Sequence, residues 1–214
     1  MINPLQEGIF TEELHKFEVM NVKKELYLAS ASPRRKDLLI GLGADIKIIK
    51  TDTEEKIDIN LPPHILVQEL ALLKGSAAAS GLDDGLVISA DTIVWFKNTP
   101  LGKPTDKAAA IEMLSSLSGN VHQVYTGVCV IDAATGKCIT DYEVTNVSFN
   151  TLSQDEIERY VDSGEPYDKA GGYGIQGKAS LFVSKIDGDY FNVVGLPLTN
   201  LNNILKNEFE FNLI

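Results

Sequence analysis

Four stretches of this sequence carry residue types suited to chemistry on phosphate esters. The first runs from Ser30 through Pro33-Arg34-Arg35-Lys36, where a short apolar segment gives way to a helix start. Free backbone N–H groups at a helix N-terminus favour an anion, and two guanidinium forks add paired donors. Cations there oppose the helix dipole and cost stability until an anion binds; a solvated basic turn is the competing interpretation. The second is Asp91, inside the apolar run from Leu86 to Phe96. A carboxylate in such a place is expensive unless it is paired, ligated or catalytic. The third, Leu101-Gly102-Lys103-Pro104, holds a lysine in a tight turn beyond that run, a weak signal by itself. The fourth places four glycines in the seven residues 171–177, with Asp168, Lys169 and Gln176 supplying polar groups. Glycines let backbone approach a ligand closely, yet their spacing fits neither a P-loop nor a dinucleotide fingerprint, and a flexible surface loop explains them equally well. Taken jointly, a cationic cradle, an interior acid and a glycine-rich wall suit metal-assisted hydrolysis of a phosphate ester.

The elements that must position these groups follow from hydrophobic period and turn chemistry. Leu26-Tyr27-Leu28-Ala29 predicts a strand, and Ser32-Pro33 the cap and first residue of a helix closed by Gly41 and Gly43. Ile46 and Ile48 mark a second strand. Leu66, Leu70, Leu73 and Ala77 give a helix from Pro63 to about Ser80 its apolar stripe. Residues 86–96 predict a central strand by length and β-branched content. Thr105 is the expected cap of the next helix, which ends near Gly119. Two strands, 121–131 and 138–149, flank Ala134-Thr135-Gly136, and Ser153-Gln154-Asp155-Glu156 fits a capping box. Residues 181–186 and 190–194 predict a hairpin around Asp187-Gly188-Asp189, and Pro197 opens a last helix. Interleaved strands and helices indicate an α/β fold on a mixed sheet. Phe10, Leu14 and Phe17 have helical spacing in an N-terminal extension, residues 1–24, too acidic for a transit peptide; residues 25–214 form a single domain.

Composition narrows the function. With 19 basic and 30 acidic residues among 214, the net charge is −11. Duplex nucleic acid demands a basic face, so a nucleic-acid binder is disfavoured. No apolar run reaches the ~18 residues of a membrane span. Three dispersed histidines and two cysteines outside any ligand spacing argue against zinc. Cys129 and Cys138 are placed to face each other across a hairpin, though two reduced cytosolic thiols are the plainer interpretation.

At the same four places the sequence resembles the Maf family of nucleoside triphosphate pyrophosphatases. The shared strings are LASASPRRKDLL (28–39), SADTIV (89–94), LGKP (101–104) and EPYDKAGGYGIQGKASLFVSKIDGDYFNVVGLPL (165–198). The resemblance implies a two-lobed mixed-sheet fold similar to the inosine triphosphatases, with the active site in the cleft between lobes. It implies cytoplasmic cleavage of a triphosphate to a nucleoside monophosphate and pyrophosphate, with Mg²⁺ or Mn²⁺, in a house-cleaning role. Carried over by position, Asp91 is the proton acceptor and shares the metal with Glu54, whose neighbour Glu55 is the alternative. Ser30, Arg34, Arg35, Lys74, Lys103 and Lys169 would bind substrate phosphates, although Lys74 on its helix would equally reach solvent. Arg34, Thr92 and Gln176 fall at positions linked with base choice, and Asp91-Thr92 together with Gln176 resembles the dTTP/UTP branch, with CTP and modified pyrimidine nucleotides as further candidates. The expected partners are the triphosphate and, as an option, a second copy of the chain in a homodimer, with no nucleic acid or membrane. Alternatives are a nucleotide-binding regulator of cell division without turnover and a 7-methyl-GTP pyrophosphatase.

Overall fold

A computed structural model describes residues 24–50 and 61–214 of the chain. The helix expected near the N-terminus and the acidic connection with Glu54 and Glu55 lie outside the described residues. The elements in chain order are β1 (Leu26–Ala29), α1 (Pro33–Gly41), β2 (Ile46–Ile48), α2 (Pro63–Ala79), β3 (Leu86–Phe96), β4 (Thr99–Leu101), α3 (Lys107–Leu117), β5 (Val121–Asp132), β6 (Cys138–Phe149), α4 (Gln154–Asp162), β7 (Val183–Asp187), α5 (Tyr190–Val194) and α6 (Leu198–Phe209). The strands form one mixed sheet in the order β2-β1-β3-β5-β6-β7, with β4 paired to β3. Among the described residues, no helix is long and apolar enough to cross a membrane.

The central strand explains where a cleft forms. One edge of β3 pairs with β5 along its length, from Leu86↔Asp132 to Trp95↔Gln123. The other edge is shared: β1 takes Leu86 to Ser89 in parallel register, and β4 takes Val94 to Phe96 antiparallel. Between those partners, residues 90–93 lie outside both ladders. The sheet therefore opens at Asp91 and Thr92, whose side chains point to opposite faces by the strand's two-residue period.

Each face is filled differently. Helix α2 lies on the face shared by Val87, Ser89, Cys129 and Ile131, and packs Ala71 and Ala78 there. It sits so low that a Cβ on Gly127 would come within 2.2 Å of the Val67 carbonyl oxygen, so only glycine fits. On the other face, Leu39 of α1 and Leu201 and Leu205 of α6 cover Leu86, Ile88, Val128 and Val130. Further along that face, Leu114 and Leu117 of α3 with Ile157, Tyr160 and Val161 of α4 cover Val94, Val124, Val147 and Phe149. Burying such side chains contributes roughly 1.5–3 kcal/mol each, so both clusters drive folding.

Most predicted elements appear close to their expected bounds, with two corrections. Helix α3 is capped by Asp106, whose carboxylate accepts from the Ala109 amide at 2.8 Å, and Thr105 lies outside it. Residues 181–194 are not a hairpin. Strand β7 pairs with β6, and Tyr190–Val194 is a helix capped by Asp189. Val193-Val194 has strand propensity, but Asn192 is buried and its amide donates to the Val124 carbonyl (3.0 Å) and to Thr145 Oγ1 (2.9 Å). That tertiary anchoring overrides local propensity. The capping box at Ser153 and Glu156 is formed as predicted.

Candidate active site

The opening in β3 is the floor of a cleft of about 390 Å³. Ser30, Arg34 and Arg35 reach it from the turn after β1 and the first turn of α1; Lys74 from α2; Asp91 and Thr92 from β3; Lys103 from the turn after β4; and Lys169 from the loop after α4. Eight of the residues singled out in the sequence thus converge.

Asp91 is matched at once by a cation. Lys74 Nζ donates to its carboxylate, and both side chains are mostly shielded, at 16% and 20% exposure. The close seating of α2 over Gly127 is what brings Lys74 within reach, so this lysine turns inward and not to solvent. A half-shielded ion pair holds its carboxylate firmly, because separating the charges would leave each poorly solvated.

Arg34 and Arg35, adjacent in sequence, do different things. Arg34 Nη1 meets Asp168 Oδ2 at 3.4 Å, and Lys169 Nζ meets Asp168 Oδ1 at 2.6 Å. Asp168 therefore sits between two cations across the mouth of the cleft, and their charges outweigh partial burial to hold its pKa below the ordinary carboxylate value. Arg35 points inward. Its Nε donates to the Gly195 carbonyl (2.7 Å), Nη1 to Ser30 Oγ (3.2 Å) and Nη2 to Thr92 Oγ1 (2.9 Å). Desolvation lowers its pKa below the usual arginine value, and the nearby Asp91 charge opposes that shift. Three of five N–H groups are engaged, leaving two for a phosphate. Ser30 also accepts from the Ser32 amide (3.2 Å), while Ser32 at the cap of α1 makes no side-chain capping bond.

The glycine-rich stretch is a built wall of short turns. Gly171, at φ 70°, donates its amide to the Gly102 carbonyl at 3.0 Å, tying the wall to the Lys103 turn. A Cβ on it would lie 2.7 Å from Val94, so the turn depends on glycine. Glu165 stabilises the wall from outside, accepting from the Lys178 amide (3.2 Å) and the Tyr160 hydroxyl (3.2 Å). Gln176 is exposed at the lip, beside Ile175, and is not among the lining residues. Val94, Val124, Tyr173, Ile175, Val193 and Val194 make the remaining wall apolar.

Two participants were not anticipated as site residues. Asp168 was visible only as a polar neighbour, since its pairing with Arg34 spans 134 residues. His122 lies behind the wall, 1% exposed, its Nε2 2.7 Å from the Tyr173 hydroxyl; burial lowers its pKa to about 4. Nothing in its strand pattern separates it from a solvent-facing histidine.

Among the described residues, no cluster of three or more His, Cys, Asp or Glu side chains stands ready to cage a metal. Asp91, among the described residues, is a cleft carboxylate of the kind a hard divalent ion takes together with substrate phosphates and water.

An α/β cleft with a cationic rim, an ion-paired carboxylate and an apolar end defines a protein that binds a phosphorylated, partly apolar small molecule. The profile of the Maf family, described as Maf-like protein, matches residues 25–208, and the chain belongs to that family. A dTTP/UTP pyrophosphatase of Alkaliphilus oremlandii is 55% identical over 192 residues, covering 89% of this chain and 100% of the relative. Proteins of the same name from Desulforamulus reducens and Bacillus anthracis are each 50% identical, over 86% and 89% of this chain and 96% and 97% of their own. The Staphylococcus aureus Ham1 protein is similar in structure at a TM-score of 0.40 and 20% identity, over 59% of this chain and 72% of that chain.

Proposed function

We propose that this chain hydrolyses dTTP and UTP to the nucleoside monophosphate and pyrophosphate. The observation that supports it most is the junction, in one cleft of about 390 Å³, of the Lys74–Asp91 pair and the cations of α1, Lys103 and Lys169 with apolar lining from Val94, Val124, Tyr173 and Ile175. The names of relatives at 50–55% identity point the same way.

In this reading the triphosphate lies along the cationic side, displacing Asp168 from Arg34 and Lys169. Arg34, Lys103 and Lys169 hold phosphate oxygens and offset the charge that grows on departing pyrophosphate. Ser30 and the two remaining N–H groups of Arg35 face the same anion. Lys74 fixes the Asp91 carboxylate, which accepts a proton from water. The water oxygen bonds to the α-phosphorus as the bond to the α–β bridging oxygen breaks, and that oxygen leaves with pyrophosphate. A divalent ion, magnesium or manganese, would be held by Asp91, with Glu54 as a second carboxylate, and supplies charge neutralisation of the triphosphate.

Pyrophosphate release, measured over common and modified nucleoside triphosphates, tests the reading. dTTP and UTP should turn over best, activity should vanish in excess chelator, and Mg²⁺ or Mn²⁺ should restore it. Binding without turnover would favour a regulator, and preference for 7-methyl-GTP would overturn the pyrimidine assignment.

A further inference from the structure

On the face of β3 opposite Asp91, the cleft rests on a chain of hydroxyl and carbonyl groups, joined by the Arg35 guanidinium, whose proton directions follow from counting donors and acceptors. Thr92 and Thr126 are cross-strand partners, with Oγ1 atoms 2.9 Å apart. Thr126 is fully buried and its hydroxyl donates to the Asn192 carbonyl at 3.0 Å. A hydroxyl has one proton, so Thr126 meets Thr92 as an acceptor, and Thr92 must donate. Arg35 Nη2, which can only donate, lies 2.9 Å from Thr92 Oγ1. The remaining acceptor near Thr92, the Gly195 carbonyl, is 3.5 Å away and already takes Arg35 Nε at 2.7 Å. Thr92 therefore has its proton committed to Thr126, one lone pair committed to Arg35, and one lone pair left. It faces the cleft beside Val94 and Val124 as an acceptor without a proton.

We propose that Thr126, a residue outside the cleft wall, is a positioning residue for base selection. By taking the proton of Thr92 it leaves that hydroxyl able only to accept, so against the N3 position of a pyrimidine it takes an N–H and is mismatched to a lone pair. This rests on the pyrimidine nucleotide reading above. Uracil and thymine present N3–H, whereas cytosine presents a lone pair at N3 and meets Thr92 lone pair to lone pair. An unmatched buried acceptor costs more than a missing contact, so one such mismatch separates related substrates. Removing the Thr126 hydroxyl frees the Thr92 proton to turn toward the cleft, where it can serve cytosine.

The test compares kcat/KM for UTP and CTP in the full-length protein and in Thr126→Val, Thr126→Ser, Thr92→Val and the double variant Thr92→Val/Thr126→Val. The wild type should prefer UTP. Thr126→Val should lower the UTP/CTP ratio about tenfold, with CTP retained better than UTP. Thr126→Ser, which keeps the hydroxyl, should hold the ratio within about twofold of wild type on the same scale. In the Thr92→Val background, the change at 126 should leave the ratio unmoved, because its route to substrate is gone. Thermal melting verifies folding, and Thr126→Ala replaces Thr126→Val if that variant does not fold. Equal losses on UTP and CTP, a serine variant that behaves like valine, or a wild type indifferent to the two bases would overturn the proposal. A wild type that turns over neither nucleotide defeats the substrate reading itself, a failure distinct from an unmoved ratio.

Discussion

Asp91 and Thr92 are consecutive residues on opposite faces of one strand, and the two faces treat polarity in opposite ways. Under α2 the cleft uses full charge: Asp91 is paired with Lys74, and both retain some exposure. On the other face, Thr92, Thr126, Asn192 and Thr145 form a seam of neutral groups, three of them fully buried, between two apolar clusters. Arg35 reaches this face from the cleft and is held there by the Gly195 carbonyl and the Ser30 and Thr92 hydroxyls; deeper in the interior a charge would cost several kcal/mol, and neutral hydrogen bonds take its place. The charged face suits a reaction that moves protons and anions. The neutral face suits recognition, because its groups cannot reorient without leaving a buried partner unsatisfied.

The comparison is broken most severely at Asp91. Asp91→Asn keeps the shape and removes both the proton acceptor and the charge that meets Lys74. The fall expected in kcat is on the order of 10²–10⁴, with folding retained. Steady-state pyrophosphate release with a melting curve checks it, and near-normal turnover in the folded variant would remove Asp91 from the chemistry.

Acid should break the neutral face. His122 shares that face with Val124 and Thr126, is buried against Tyr173, and has its pKa lowered to about 4 from 6.5 by burial alone. Its Nδ1 has no hydrogen-bond partner among the described residues. The unfolded chain binds a proton at this residue that the folded chain refuses, so stability falls as pH drops from about 6.5 to about 4. The full linkage is roughly 3 kcal/mol, from ~1.4 kcal/mol per unit. His122→Gln should be less stable at pH 7.5 yet lose far less on acidification to pH 4.5. Denaturant midpoints at a series of pH values read this directly; parallel curves for the two proteins would show that His122 is not the titrating group.

Much of the charged face was legible in the sequence, and little of the neutral face. Asp91 in an apolar run and arginines at a helix start violate local rules, and such violations stand out. Thr126, Thr145 and Asn192 violate nothing: threonine suits a strand, and a single asparagine in the short run from Tyr190 to Val194 reads as an ordinary polar position of a half-exposed strand. Their importance comes from contacts such as Thr126 to Asn192, 66 residues apart. The same blindness made residues 190–194 look like a strand. Central strands and capped helices were readable because their period and caps are local, whereas the opening between β1 and β4 is a property of pairing.

Arg34 sharpens the contrast within the charged set. It is partly exposed and its partner Asp168 is two-thirds exposed, so the pair adds little to stability. As a cation in the first turn of α1 it also opposes the helix dipole. Arg34→Ala should leave the melting temperature unchanged or slightly raised. It should weaken triphosphate binding by roughly 1.5–3 kcal/mol, the scale of a charged hydrogen bond. Isothermal titration with a non-hydrolysable triphosphate separates these effects, and unchanged affinity would leave Arg34 as surface.

The smallest effect is expected at Gln176. The family resemblance links its position with base choice, and its amide has donor and acceptor groups that complement the O4 and N3–H edge of uracil. The structure holds it at the lip of the cleft, exposed, while Ile175 and Gly174 line the wall. An exposed side chain must give up water contacts and rotamer freedom to meet a ligand, and these costs offset most of a neutral hydrogen bond. Gln176→Ala should therefore lower kcat/KM for UTP by only about 0.5–1 kcal/mol, several-fold at most, with a similar loss on CTP. Thr126→Val should instead change the UTP/CTP ratio itself, so the two variants assayed side by side rank lip against floor as the seat of base selection. A loss at Gln176 beyond a hundredfold on UTP alone would show that the lip closes over the base and would move the seat of selection from the neutral floor to the glycine-rich wall.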